Sequence, residues 1–379
     1  MAILLPRRRA VALGAMMIVA GGLALGAAFV LSGAYNVAAS VRHFDITNKL
    51  IKLTLRRSID THSAFVKVPN LDDADLVRLG ARHFANGCQP CHAAPGSRQN
   101  PIVAGMYPSA PPLGAKVDDW EQDELFWIVR HGLKFTGMPQ WAGDGRDDEV
   151  WAVVAFLREL PGMSEQRYNE LAGSAGSRSG FTLEVADDEL FAQCITCHGD
   201  DATPPVSAIV PSLNGQKPAY LRRALEEYAL DLRQSGMMEP LAAALSSEQI
   251  VDLSGRFAGM ARQPHGRETP EEGSASARER GKQIAMQGIP RQNVPACSSC
   301  HGGASAPTFP SVAGLSKTYL ATQLRLFRKG TRGGSAYGQI MQSVARKLTD
   351  AQIDDVSAYL AAEMALPSSE ATAHAEPTR

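Results

Sequence analysis

Cys88-Gln89-Pro90-Cys91-His92 is the stretch from which the rest of this 379-residue chain is read. The same pattern returns at Cys194-Ile195-Thr196-Cys197-His198 and at Cys297-Ser298-Ser299-Cys300-His301. Two thiols at this spacing can each form a thioether with one vinyl group of a single porphyrin, and the adjacent histidine is then held beneath the iron. Cys-x-x-Cys-His is the attachment pattern of c-type haem. A dithiol redox pair or half of a zinc site would explain one Cys-x-x-Cys equally well. Neither explains three copies, each followed by histidine, that use all six cysteines of the chain. The pattern therefore predicts three covalently bound haem c groups on Cys88 and Cys91, Cys194 and Cys197, Cys297 and Cys300. His92, His198 and His301 are the expected proximal iron ligands.

The copies are spaced by 106 and then 103 residues, each period the size of a small domain. Ala172 to Gly180 reads as a flexible linker, and Arg262 to Ala275 lacks an apolar face. Each period repeats one order of elements. A short helix enters the motif, carrying Leu79 and Phe84 in the first copy and Leu190 and Phe191 in the second. In the third, Gly281 to Met286 is followed by an extra loop through Pro290 and Pro295. A proline loop follows the histidine, at Pro111-Pro112-Leu113, Pro211-Ser212-Leu213 and Pro310-Ser311-Val312. An amphipathic helix comes next (Trp120–Gly132, Ala219–Leu232, Tyr319–Phe327), then a methionine loop. A closing helix ends each unit (Asp148–Leu160, Ser247–Met260, Asp350–Glu363), with Ser247 and Asp350 at the expected N-caps. The expected divisions are 1–41 as membrane anchor or signal, 42–71 as connector, and 72–163, 182–262 and 275–365 as three domains, with a polar tail after Leu366.

A six-coordinate iron in an electron carrier needs a second axial ligand, and a methionine thioether is a common one. Met138 lies 46 residues after His92, in Thr136-Gly137-Met138-Pro139, a poor place for core packing. Leu245-Ser246-Ser247-Glu248-Gln249-Ile250 aligns with Leu348-Thr349-Asp350-Ala351-Gln352-Ile353 at an offset of 103, which places Met238 on Met341, each 40 residues after its histidine. Met138, Met238 and Met341 are thus the expected sixth ligands, with Met237 competing for the second iron. His83, His131 and His265 are the alternative donors, His131 the foremost because it sits near the first methionine loop.

Arg7-Arg8-Arg9 precede an uncharged stretch from Ala10 to Val41. About 20 apolar residues cross a bilayer, whereas the apolar core of a cleaved signal runs about 7–15. An uncleaved single-pass anchor is favoured, and Val37-Ala38-Ala39-Ser40 keeps cleavage open. Residues 42–70, with Leu50, Ile51, Leu53 and Leu55, read as a helix near the membrane. The arginines belong in the cytoplasm, which places the haem domains in the periplasm of a bacterial inner membrane. At 44% apolar, 20% charged and net charge −1, without a long basic run, the composition points away from a nucleic-acid partner.

The order of helix, Cys-x-x-Cys-His, proline loop, helix, methionine loop and helix resembles a class I cytochrome c domain. The second and third copies are similar to the tandem diheme cytochromes c. Lys317-Thr318-Tyr319-Leu320, Gln323-Leu324 and Phe327-Arg328-Lys329-Gly330 carry that likeness; the second copy departs from it with Arg222-Arg223 and with no glycine between Arg233 and Gly236. The first copy looks like a separate monohaem branch through Gly137-Met138-Pro139-Gln140-Trp141 and Trp151-Ala152-Val153-Val154-Ala155-Phe156-Leu157. The resemblance implies an all-α fold with an N-terminal transmembrane helix. It also implies that a loop-proline carbonyl accepts a hydrogen bond from each proximal histidine, from Pro211, Pro310 and either Pro111 or Pro112. The implied function is a triheme electron-transfer protein of a respiratory chain, without catalysis of its own. Its implied partners are redox proteins: a membrane oxidase, a dehydrogenase or a quinol-oxidising complex. The alternative is a cytochrome subunit of a membrane-bound dehydrogenase passing electrons to quinone. A diheme-type peroxidase needs an open sixth site, which three methionines oppose.

Overall fold

The computed structural model describes residues 4–173, 185–262, 274–302, 307–363 and 366. Among them the chain is all-α; the isolated bridge between Ile289 and Val294 is the only β pairing. The proposed flexible stretch 174–180, most of the linker after Arg262 (263–273) and the tail from 367 lie outside the described residues.

Helix α1 (Leu4–Leu31) includes Ala10–Leu31, 22 residues long and apolar enough to cross a membrane by length and composition. It stops ten residues short of Val41, the end of the uncharged stretch in the sequence. Ser32 turns back to cap the Phe29 carbonyl at 2.8 Å and Gly33 takes a positive φ of 64°. Helix α2 (Asp45–Ser63) occupies the connector. It buries Ile59 and Ser63 and leaves Ile46, Leu50 and Leu53 exposed.

In the first repeat α3 (Ala74–His83) runs through a π turn at Phe84–Cys88 into α4 (Gln89–His92). Then follow α5 (Pro101–Ala104), α6 (Gln122–His131), α7 (Asp147–Glu159) and α8 (Glu165–Ala172). The Val150, Val153, Val154, Leu157 stripe turns inward with Phe84 and Phe156, burying apolar area worth roughly 1.5–3 kcal/mol per large side chain. The core extends beyond residue 163: Tyr168, Leu171 and Ala172 of α8 are buried in it, so Ala172 is helix and not linker.

The second repeat comprises α9 (Asp187–His198), α10 (Pro218–Ala229), α11 (Met238–Ala243) and α12 (Ser247–Gly259). The third has α13 (Ser274–Gln287), α14 (Ser298–His301), α15 (Lys317–Lys329), α16 (Ala336–Ala345) and α17 (Asp350–Ala362). Two local expectations need correction. The closing helices are capped one residue earlier than expected, by Ser246 and Thr349. Their hydroxyls accept from the backbone of Gln249 and Gln352, whose side chains reach back to complete capping boxes. And two of the three methionine segments are helical: Met238 opens α11 and Met341 lies within α16, where Ser335 caps a full helix. Met138 alone sits in an irregular loop.

The repeats interlock. Residues 143–149 of the first clasp residues 234–236 of the second: Arg146 donates to the Gln234 carbonyl at 2.8 Å, and the Asp144 amide donates to the Gln234 side chain at 2.9 Å. A Cβ on Gly236 would collide with the Trp141 ring, and one on Gly143 would collide with the backbone of Ser235 and Gly236. Gly236 therefore serves close approach, in the very segment where the second repeat departs from the family pattern.

Candidate haem sites

Each predicted proximal histidine is oriented by the loop that follows it. The Nδ1 atoms of His92, His198 and His301 lie 2.9, 2.8 and 2.9 Å from the carbonyl oxygens of Pro111, Pro211 and Pro310. An Nδ1–H donated to a carbonyl fixes the tautomer and leaves Nε2 as the free electron pair. In the first repeat the acceptor is Pro111, not Pro112. The loops that make this contact span 19, 13 and 9 residues. The longest needs a strut, and Gln99 supplies it by donating to the carbonyls of Cys91 at 2.8 Å and Ala110 at 2.7 Å.

One continuous cavity runs past the second and third motifs. It is walled mostly by apolar side chains and is reached by Cys194, Cys197, His198 and Met238 on one side and by Cys297, His301 and Met341 on the other. Met237 lines it as well as Met238. In the first repeat Cys88 and Met138 both pack, half-buried, on the edge of the main core. His83 is a packing residue, buried 5.9 Å from the Trp141 ring, and burial pushes its pKa down to about 4. His131 stacks obliquely on Trp127 at 5.1 Å, with its own surroundings among aromatic and basic groups. His265 lies outside the described residues.

Burial pushes Cys88 and Cys194 up to about 12 and Cys297 up to about 11. No group of three or more metal-binding side chains occurs among the described residues. What the cavity does hold is a buried guanidinium without a carboxylate partner. Arg233 is 6% exposed, and its partners are the Tyr220 hydroxyl at 3.4 Å and the Tyr228 ring at 4.5 Å. The Nε of Arg233 and the Nε of Arg223 are buried with no hydrogen-bond partner. Arg332 also donates to the Tyr220 hydroxyl, at 3.3 Å. Burial would raise the Tyr220 pKa, but the two guanidiniums outweigh it and bring it down to about 8. A buried cation without a carboxylate is costly. A haem brings two propionates, so its anionic edge and apolar body both fit this chamber. Arg223 also faces the Glu227 carboxylate at 3.7 Å and donates to the Thr308 carbonyl at 2.9 Å, so Arg233 is a cation here without a carboxylate among the described residues, and no sequence motif marks it.

Comparison with known proteins agrees with this geometry. Residues 75–157 match the family model for subunit III of cbb3-type cytochrome c oxidase, and residues 278–362 match the cytochrome c model. The thiosulfate dehydrogenase electron acceptor of Stutzerimonas stutzeri (strain A1501) is 33% identical over 208 residues, covering 53% of this chain and 93% of that protein. Cytochrome c-552 of Acidithiobacillus ferridurans is 34% identical over 50% of this chain and 82% of its own length. Cytochrome c4 of Thiocapsa roseopersicina is 33% identical over 44% and 85%. With these relatives matched over most of their length and the helical repeats in place, the chain belongs to the cytochrome c family of electron-transfer proteins.

Proposed function

We propose that the three repeats, 72–163, 182–262 and 275–365, each bind one haem c. Cys88 and Cys91, Cys194 and Cys197, and Cys297 and Cys300 form the thioethers. His92, His198 and His301 are the proximal ligands; Met138, Met238 and Met341 stand opposite. When bound, haem supplies a one-electron ferrous–ferric couple. The chain's part is to orient each imidazole through a proline carbonyl, to exclude water with apolar walls, and to meet the propionates with Arg223, Arg233 and Arg332. The observation that carries this reading is the shared cavity, which collects two motifs and both of their methionines.

In this reading α1 is an uncleaved anchor and the haem domains face the periplasm. The chain takes single electrons from an oxidoreductase and delivers them to a terminal oxidase. The named relatives support the donor side, and the match of residues 75–157 to an oxidase subunit model supports the acceptor side. The same relatives favour the second reading, a cytochrome subunit of a membrane-bound dehydrogenase that reduces quinone. Pyridine haemochrome analysis should find three haem c per chain, and two or fewer in fully matured protein would defeat the triheme assignment. Copurification in mild detergent separates the two readings: oxidase subunits support the first, a dehydrogenase alone the second.

A further inference from the structure

Glu149 belongs to α7 of the first repeat and is 6% exposed. Its carboxylate is encircled by donors, two of them from the second repeat. Oε1 accepts from the Ser235 hydroxyl at 2.6 Å and faces the Arg146 guanidinium at 2.8 Å. Oε2 accepts from the Gly236 amide at 2.7 Å and from the Trp141 indole N–H at 3.0 Å. The Ser235 hydroxyl in turn accepts from the amides of Met238 at 3.1 Å and Met237 at 3.4 Å, the residues at the start of α11.

We propose that Glu149 is a positioning residue for the axial methionine of the second haem site, acting through Ser235 from a neighbouring repeat. The proposal rests on the reading of the 237–238 pair as the ligand position. A carboxylate only accepts, so the Ser235 proton must point at Glu149, and the oxygen lone pairs must then face the methionine amides. The hydroxyl is thereby locked in the one orientation that receives the amides of Met237 and Met238. Clasping the repeats together would not require this arrangement, because the Gln234 contacts already do so. Here two bonds from one buried group end on the residues directly preceding the methionines. The second site thus depends on a side chain that its own repeat lacks. Glutamine cannot replace glutamate, since both carboxylate oxygens face donors only and an amide NH2 in either place opposes one.

The test uses full-length, haem-loaded protein and two readouts: the weak ferric band near the red edge of the visible spectrum that reports methionine–iron bonding, and carbon monoxide binding by the ferrous protein. Met238→Ala, or Met237→Ala if that residue is the ligand, identifies the second-site component, about one third of the band if three similar sites contribute. Glu149→Gln and Ser235→Ala should each diminish that same component and raise carbon monoxide binding at one haem, with haem content unchanged. Adding Glu149→Gln to the ligand-free methionine variant should remove nothing further. Should Glu149→Gln fail to mature, Ser235→Ala alone decides, because it leaves the remaining Glu149 contacts in place. If the methionine variant loses its component while Ser235→Ala and Glu149→Gln keep theirs intact, the positioning role is overturned and the ligand reading survives. If neither Met237→Ala nor Met238→Ala removes a component, the ligand reading itself fails and the proposal with it.

Discussion

The first and second repeats hold their terminal helices together by different means. In the first, Gly80 lets α3 press directly on α7, where an added Cβ would fall on the Ala152 carbonyl; in the third, Gly281 does the same against the Asp355 carbonyl. In the second, the position eight residues before the first cysteine, matching Gly80, is Ala186, exposed at the N-cap of α9. There α9 and α12 meet through side chains, with Phe191 and Phe257 at 4.9 Å between ring centres and Arg256 on Asp188 at 2.6 Å. The apolar cluster of the second repeat is correspondingly small, built on Tyr220, Leu221, Ala224 and Phe257. Its Val206 packs instead on Leu79 and Ala152 of the first repeat. One repeat owns its core, and the other borrows part of its support across an interface.

The sharpest way to break this contrast is at the glycine. Gly80→Val should cost on the order of 3 kcal/mol, because overpacking meets backbone that cannot yield. Ala186→Val should stay within about 0.5 kcal/mol. Denaturant unfolding of the holoprotein measures both, and equal costs would erase the distinction between the repeats.

Acid probes the interface side of the contrast. The folded chain holds His83 at about 4 where the unfolded chain holds it at 6.5, so between those values the unfolded state binds the extra proton. The contribution, about 3 kcal/mol, is complete above pH 6.5 and is withdrawn as the pH falls toward 4. Unfolding free energies for His83→Phe should follow a flatter pH curve through that window. A variant as acid-sensitive as the parent would assign the sensitivity to other groups.

A smaller effect is expected at the strut of the first repeat. Gln99→Leu leaves the Cys91 and Ala110 carbonyls without their donor and should cost about 2 kcal/mol. The shorter loops of the other repeats have no need of such a strut, so the loss should localise to the first. Hydrogen exchange of residues 93–112 would show whether it does. Smallest is the helix cap: Ser246→Ala should cost about 1 kcal/mol and Ser247→Ala almost nothing. A reversed order in thermal unfolding would restore Ser247 as the cap.

Much of this was legible in the chain itself. The three motifs and the helix order follow from spacing, because they are local, and the family resemblance implied the histidine–proline contacts. The cap at Ser246 was legible too: Gln249 stands three residues on, the capping-box distance, and Ser247 has no such partner. What could not be read is the clasp. Glu149 and Ser235 are 86 residues apart, and nothing in the pattern around either names the other. The helical setting of Met341 was hidden for a different reason, since the flanking glycines at 333 and 334 read as loop while Ser335 begins a helix.

The clasp also sets an order of assembly. Its first half, Trp141 to Glu149, is finished when the first repeat is finished, since α7 lies in that repeat's own core. Its second half, around Gly236, packs on the Trp141 ring with no room for a Cβ. Chains generally fold their N-terminal units first, and the sparse cluster of the second repeat makes a poor nucleus on its own. On that principle the second repeat closes against a surface that already exists, with Trp141 as its template, and Gly334 of the third repeat meets the Leu232 carbonyl beyond the second repeat's α10.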